Sequence, residues 1–120
     1  MEGYRVQFYV KSSNGEKPVE NFLKDLSPLV QAKINKYIEL LRVSNGYLDE
    51  PLSRHITGKI RELRVDFKHI RHRVFYFTFI GQRIILLHGF IKKTAKTPPA
   101  EINKALNYYN DFISHPYLYE

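Results

Sequence analysis

Residues 54–96 read RHITGKIRELRVDFKHIRHRVFYFTFIGQRIILLHGFIKKTAK, and this stretch contains the longest β-type apolar runs of the chain. It holds eleven Lys and Arg residues against two acids, a formal charge of +9, whereas the rest of the chain carries −2. Four of the five histidines lie there as well. The positive excess of the protein is therefore concentrated on predicted strands, and we expect this stretch to carry the function.

Three strands are predicted within the stretch, at about residues 60–67, 70–80 and 83–90. The first alternates apolar and charged residues, the second starts charged and becomes apolar, and the third is apolar on both faces until His88. A short turn at Gly81 and Gln82 predicts a hairpin between the last two strands. Strands that are apolar on both faces are covered on both faces, so helices are expected on each side of the sheet.

The remaining elements follow from periodicity and from proline positions. They are a strand over residues 4–10, a helix over 18–26, a helix from Pro28 to near Ser44, a mostly irregular segment over 45–59, and a last helix that opens at Pro98-Pro99 and ends before the tail at His115. The predicted fold is α+β, with residues 1–120 as a single domain. Its order is strand, helical hairpin, three-stranded antiparallel meander and C-terminal helix.

Composition limits the possible classes of protein. The chain has no cysteine, which excludes disulfides, thiolate nucleophiles and cysteine-based metal sites. No run approaches the roughly 18 apolar residues of a membrane helix, and the N-terminus does not resemble a signal peptide, so a cytoplasmic protein without membrane contact is expected. A sequence pI of about 9.6 with clustered charge favours a polyanionic partner, nucleic acid first.

The antiparallel order of the predicted strands brings basic residues together at one end of the sheet. They are Arg64, Arg73, His88, Lys92 and Lys93. Like charges gathered in this way repel unless an anion is bound. No phosphate loop, zinc motif or dinucleotide fingerprint occurs, and the acids near the cluster are too few for two magnesium ions, so neither a metal nor a cofactor is predicted. RNA can be cleaved through its own 2′-hydroxyl by Arg, Lys and His side chains alone.

Three motifs then resemble a known family. They are GKIRELR at residues 58–64, RVFYF at residues 73–77, and LLHGFIKKT at residues 86–94 followed by Lys96-Thr97-Pro98. Together with the order of elements over roughly residues 4–113, they resemble the phage-derived Gp49-like, HigB-type branch of the RelE/ParE toxin superfamily. The last motif is fairly specific, whereas the other two are short.

The resemblance implies a RelE-like fold and the toxin of a type II toxin–antitoxin system. Such a toxin is an mRNA interferase, an endoribonuclease that inhibits translation by cutting mRNA, usually in the ribosomal A site. Its implied partners are the ribosome, mRNA and a neutralising antitoxin, expected to be a small helix-turn-helix protein. The predicted catalytic residues are Arg64, Arg73, Lys93 and His88. The predicted RNA-binding residues are Lys59, Arg61, Arg71, Lys92 and Lys96.

Two other functions stay open at this point. A ParE-like toxin that acts on DNA gyrase would have the same fold, but it would need no phosphate-binding arginines. A non-enzymatic nucleic-acid-binding module would also be basic, but the chain lacks an aromatic stacking signature for RNA. Some relatives place a tyrosine at the start of or within the last helix. Here Thr94 and Pro98-Pro99 occupy that region, and Tyr108 and Tyr109 lie farther along.

Overall fold

The structure is a computed structural model that describes residues 3–119. A five-stranded sheet and three helices make up the α+β fold. The elements are β1 (Arg5–Phe8), α1 (Pro18–Lys24), α2 (Pro28–Val43), β2 (Ser53–Thr57), β3 (Ile60–Phe67), β4 (Ile70–Phe79), β5 (Arg83–Lys92) and α3 (Pro99–Ser114), followed by a short 3₁₀ helix (Pro116–Tyr119). No helix within the described range is long and apolar enough to cross a membrane.

The strands lie in the order β1-β5-β4-β3-β2. Strands β2 to β5 form an antiparallel meander, and β1 adds to the outer edge of β5 in parallel, with Arg5 opposite Arg83 and Phe8 opposite Leu86. The predicted meander of three strands is therefore correct in order, but it lacks one strand at its start.

That missing strand corrects the prediction that residues 45–59 are mostly irregular. Ser53–Thr57 form β2, an edge strand on β3. Its sequence gives little local signal because Arg54 and His55 are exposed and the residue that faces inward is polar. The buried Ser53 hydroxyl is hydrogen-bonded to the Tyr76 hydroxyl at 2.7 Å, so pairing and one polar contact define this strand.

Helices α1 and α2 cover one face of the sheet. Both have proline at the start, and the Ser27 hydroxyl accepts a hydrogen bond from the Val30 amide at 3.5 Å at the beginning of α2. Their buried side chains meet one set of strand residues, here called the α1/α2 face: Val19, Leu23, Val30, Ile34, Ile38 and Leu41 against Leu63, Val65, Val74, Tyr76, Ile84 and Leu86. Helix α1 ends two residues earlier than predicted, and β1 is shorter than the predicted strand.

Helix α3 covers the opposite face, here called the α3 face. The aromatic core there comprises Phe75, Phe77, Phe90 and Phe112, with Ile60, Ile85, Leu87 and Ala105. The prediction that both faces of the sheet are covered is therefore confirmed. Helix α3 covers only part of this face, however. Beyond the aromatic core, the same face of β3, β4 and β5 carries charged side chains.

A β-bulge in β5 decides which residues reach the α3 face. Phe75 pairs with His88 and Tyr76 pairs with Leu86, so Leu87 is an extra residue in β5. Both Leu87 and His88 lie with the α3 face, and the alternation beyond the bulge is shifted by one residue. The shift brings Phe90 and Lys92 to the α3 face. It also turns Gly89 toward α1, where a Cβ would lie 2.4 Å from Phe22 Cδ2.

A candidate nucleic-acid site on the open half of the sheet

The open half of the α3 face carries a cationic cluster, defined here as Arg64, Arg71, Arg73 and Lys92. Strand register places these residues on three neighbouring strands, with Arg64 opposite Arg73 and Arg71 opposite Lys92. Within this cluster lies one buried acid, Glu62, whose residue exposure is 1 %. The predicted convergence of Arg64, Arg73 and Lys92 at one end of the sheet is thus confirmed as geometry.

Arg64 is the member of the cluster with an accessible guanidinium beside the acid. Its side chain is 24 % exposed, and its Nε lies 3.7 Å from Glu62 Oε1. It also lines a surface recess of about 270 Å³ with Lys33 and Tyr37 of α2 and with Asp66, a recess that Lys92 does not line. A guanidinium held by one carboxylate and open on the other side can bind a phosphate oxygen.

Arg73 lies beneath the surface of the cluster. It is 1 % exposed, and its Nη1 donates to Asp66 Oδ1 at 2.7 Å and to the His72 carbonyl at 3.0 Å. Its Nε has no hydrogen-bond partner among residues 3–119 and lies 3.9 Å from Glu62 Oε1. Arg73 therefore cannot meet a phosphate as the side chains stand, and its part in the site is to hold the two carboxylates.

Lys92 is the last residue of β5 and is 7 % exposed. Burial lowers the pKa of its ammonium group; the Glu62 carboxylate opposes this, and the guanidinium groups of Arg73, Arg64 and Arg71 lower the pKa further. A lysine whose pKa is lowered in this way has a larger neutral fraction at a given pH than an exposed lysine has. Lys92 is therefore a buried amine among the guanidinium groups of the cluster.

The other predicted catalytic residues lie apart from the cluster or at its edge. His88 is 8 % exposed, its ring contacts Phe75, Phe90 and Tyr108, and its Nε2 is 2.7 Å from Glu101 Oε1. Burial lowers the pKa of His88 even though Glu101 raises it. Lys93 follows β5, is exposed, and lines a recess of about 450 Å³ with His69 and Arg71.

The predicted RNA-binding residues divide between the two faces. Lys96 lines a recess of about 320 Å³ with Arg54, Lys92 and Thr97, and Lys59 is exposed in the turn between β2 and β3. Arg61 does not join the cluster. Its guanidinium donates to the Ser53 hydroxyl at 3.1 Å and lies 4.7 Å from the centre of the Tyr47 ring, on the α1/α2 face.

Two residues of the site were not singled out from the sequence. The sequence signal for Glu62 is its position as one of two acids among the eleven cations of residues 54–96. The Thr97 hydroxyl donates to Glu62 Oε2 at 3.4 Å, which connects the segment after β5 to the cluster. Within residues 3–119, no three acidic or histidine side chains lie close enough together to bind a metal ion.

Comparison with known proteins places the chain in a class of toxin-like proteins. A family model described as Phage derived protein Gp49-like (DUF891) matches residues 21–110, which is 90 of the 120 residues. The matched range includes the second half of α1, all of α2 and β2 to β5, and most of α3, and hence the whole cationic cluster. No curated protein matches the chain.

Because the match covers most of the chain, the protein belongs to the Gp49-like family of phage-derived proteins, which lies within the RelE/ParE-like toxin superfamily. Membership in a toxin-like family implies that an antitoxin is a partner.

Proposed function

We propose that this protein is the toxin of a type II toxin–antitoxin system, of the HigB type, and that it inhibits translation by cutting mRNA on the ribosome. The observation that carries the proposal is the cationic cluster around buried Glu62, on a half of the sheet that α3 leaves open. A buried lysine beside a partly exposed arginine suits phosphate binding with proton transfer, which the ParE-like alternative does not require.

The residues can serve the chemistry that RNA supplies. The 2′-oxygen attacks the adjacent phosphorus and loses its proton to a base, while the bond from phosphorus to the 5′-oxygen breaks. The leaving 5′-oxygen takes a proton from water, so the products are a 2′,3′-cyclic phosphate and a 5′-hydroxyl. In this proposal the neutral form of Lys92 accepts the 2′ proton, and Arg64 binds a non-bridging oxygen as negative charge builds up. The lowered pKa of Lys92 and the partial exposure of Arg64 support these roles.

His88 and Lys93 are less well placed for that chemistry than Lys92. Residues 88 and 92 are four positions apart in one strand, about 13 Å between their backbones. His88 is also held by Glu101 among aromatic rings. The structure thus favours Lys92 over Lys93 as the proton acceptor, and it favours a packing role for His88.

The test is cleavage of a defined mRNA during translation in vitro, with new 5′ ends mapped by primer extension. We expect cleavage within the coding sequence when ribosomes are present and little cleavage of free RNA, because so small a protein depends on the ribosome to orient the backbone. Lys92→Met should lower the rate about 10²- to 10⁴-fold, as loss of a proton-transfer group does. The matched control is Lys36→Met, on the exposed side of α2.

Three results would contradict parts of this proposal. Equal cleavage of free and ribosome-bound RNA would remove the ribosome from the mechanism. Inhibition of gyrase supercoiling without any RNA cleavage would favour the ParE-like alternative. Binding of RNA without cleavage or gyrase inhibition would leave a nucleic-acid-binding module.

The antitoxin is proposed to be a small helix-turn-helix protein encoded beside this one. If it were left uncovered, the cationic cluster would bind ribosomal RNA regardless of sequence. A partner therefore has to cover the cluster or displace its side chains. Co-expression with the neighbouring small reading frame should restore growth and give a complex that survives purification. If no adjacent small frame binds the protein or restores growth, the toxin–antitoxin assignment loses its main support.

A further inference from the structure

Glu62 is a buried carboxylate that the proposed chemistry does not use. It lies on β3, where strand alternation turns it to the α3 face together with Arg64, and strand register places it opposite Arg54 of β2. An isolated carboxylate in such a place would be strongly destabilising. Its burial at 1 % exposure therefore depends on the cations around it.

The contacts of Glu62 are several and none is tight. Its Oε1 lies 3.7 Å from Arg64 Nε and 3.9 Å from Arg73 Nε, and its Oε2 accepts a hydrogen bond from Thr97 Oγ1 at 3.4 Å. Charge-assisted hydrogen bonds are usually shorter, about 2.7–2.9 Å. Asp66 makes such a bond to Arg73 at 2.7 Å, but its side chain is 63 % exposed. Glu62 is therefore a central charge shared among several groups.

We propose that Glu62 is a positioning residue: its buried carboxylate holds Arg64 toward the substrate phosphate and holds Thr97 and the segment after β5 against the cluster. This inference rests on the proposed function, because it assigns a role within that same site. Glu62 acts through Arg64 and Lys92 and does not touch the RNA.

Removal of the negative charge alone shows what the carboxylate does. In Glu62→Gln the side chain keeps its shape, but the cations lose their shared counter-charge and repel one another more strongly. Arg64, the most accessible of them beside Glu62, is then free to turn toward solvent. Lys92 loses the attraction that raises its pKa, so that pKa falls further below the ordinary lysine value.

The pH dependence is specific because the groups that face Lys92 are known. They are Glu62 and Arg64 from β3, Arg71 and Arg73 from β4, Arg54 and His55 from β2, His69 from the turn between β3 and β4, and Lys93, Lys96 and Thr97 from the segment after β5. Among these only Glu62 is an acid. If Glu62 only filled space, Glu62→Gln would leave the charge state of Lys92 unchanged.

The experiment compares the wild type, Glu62→Gln and a control, Glu39→Gln, whose glutamate pairs with Arg42 on the surface of α2 at 2.6 Å. Lysine side chains labelled with ¹³C are titrated by NMR in the free protein, and the Lys92 signal is assigned by its loss in Lys92→Met. We expect the pKa of Lys92 to fall in Glu62→Gln and to stay unchanged in Glu39→Gln.

The second readout is the pH profile of mRNA cleavage on the ribosome. In Glu62→Gln the rise of kcat with pH should move to lower pH, because a base with a lower pKa becomes neutral earlier. The plateau of kcat should drop on the order of 10²-fold, because Arg64 is no longer held in place. KM should change less, since the other basic residues still bind the RNA backbone.

The outcomes separate this inference from the proposed function. If the wild type does not cut mRNA, the proposed function fails, and the NMR titration still decides whether Glu62 controls Lys92. An unchanged Lys92 pKa together with an unchanged pH profile in Glu62→Gln overturns the positioning role. If Glu62→Gln does not fold, Glu62→Asp keeps the charge but withdraws the carboxylate by one methylene, and it should move both readouts in the same direction by less.

Discussion

Arg64→Ala is expected to lower the rate of mRNA cleavage about 10²- to 10³-fold while the protein stays folded, which is the usual effect of removing one donor to a developing oxyanion. Arg64 can be removed safely because its side chain is 24 % exposed and its Nε is no closer than 3.7 Å to Glu62. Glu62 retains Arg73 and Thr97 as neighbours after the change. The loss should therefore appear in kcat and not in the midpoint of thermal unfolding.

The matched control for Arg64→Ala is Arg83→Ala. Arg83 is the first residue of β5, its guanidinium lies 4.9 Å from the centre of the Phe79 ring, and it is at the end of the strand away from the cluster. Both variants remove one positive charge from the sheet. Cleavage by Arg64→Ala at the rate of Arg83→Ala would mean that the cluster does not contact the scissile phosphate.

Arg73→Ala has the largest expected effect on stability, about 3–5 kcal/mol of the free energy of unfolding, since it breaks a buried ion pair from one side. Because Arg73 is only 1 % exposed, its replacement affects the fold as well as the site. The two carboxylates next to Arg73 respond differently. Asp66 is mostly exposed and rehydrates, whereas Glu62 stays buried with a weaker counter-charge.

A double variant tests this explanation of the loss. Arg73→Met combined with Glu62→Gln removes both charges while keeping the volume, so much of the lost stability should return. The measurement is the denaturant midpoint with the slope of the transition as a check on two-state behaviour. If Arg73→Met alone unfolds at the wild-type midpoint, the buried pair contributes little and the cluster is more hydrated than its exposure indicates.

Much of the fold was predictable because its signals are local. Proline begins all three helices, at residues 18, 28 and 99, and Ser27 caps α2. Strand β2 was not predictable in this way, since an exposed edge strand with a polar inward residue is stabilised by its neighbour and not by its own pattern. The parallel pairing of β1 with β5 is likewise a long-range event that no local pattern reports.

The candidate site likewise has some features that local sequence patterns predict and others that depend on long-range contacts. Alternation in β3 places Arg64 on the same face as Glu62, and it places Arg61 with Leu63 on the α1/α2 face, so the sequence pattern itself separates Arg61 from the cluster. The choice between Lys92 and Lys93 depends on the extra residue in β5, which has no mark in the sequence. The burial of Arg73 depends on the packing of side chains from two other strands, so the sequence of β4 alone does not predict it.

Because β1 pairs with the outer edge of β5, the sheet cannot be completed until β5 is available. Tyr9, just after β1, donates to Asp111 of α3 at 2.6 Å, and the backbone amide of Val10 donates to the Tyr119 hydroxyl at 2.7 Å, so the first part of the chain is fastened to the last. During synthesis, β1 leaves the ribosome first but has no strand to pair with until β5 has followed. Contacts of such sequence separation form late and slowly. A newly made chain thus completes its sheet only after β5 has left the ribosome.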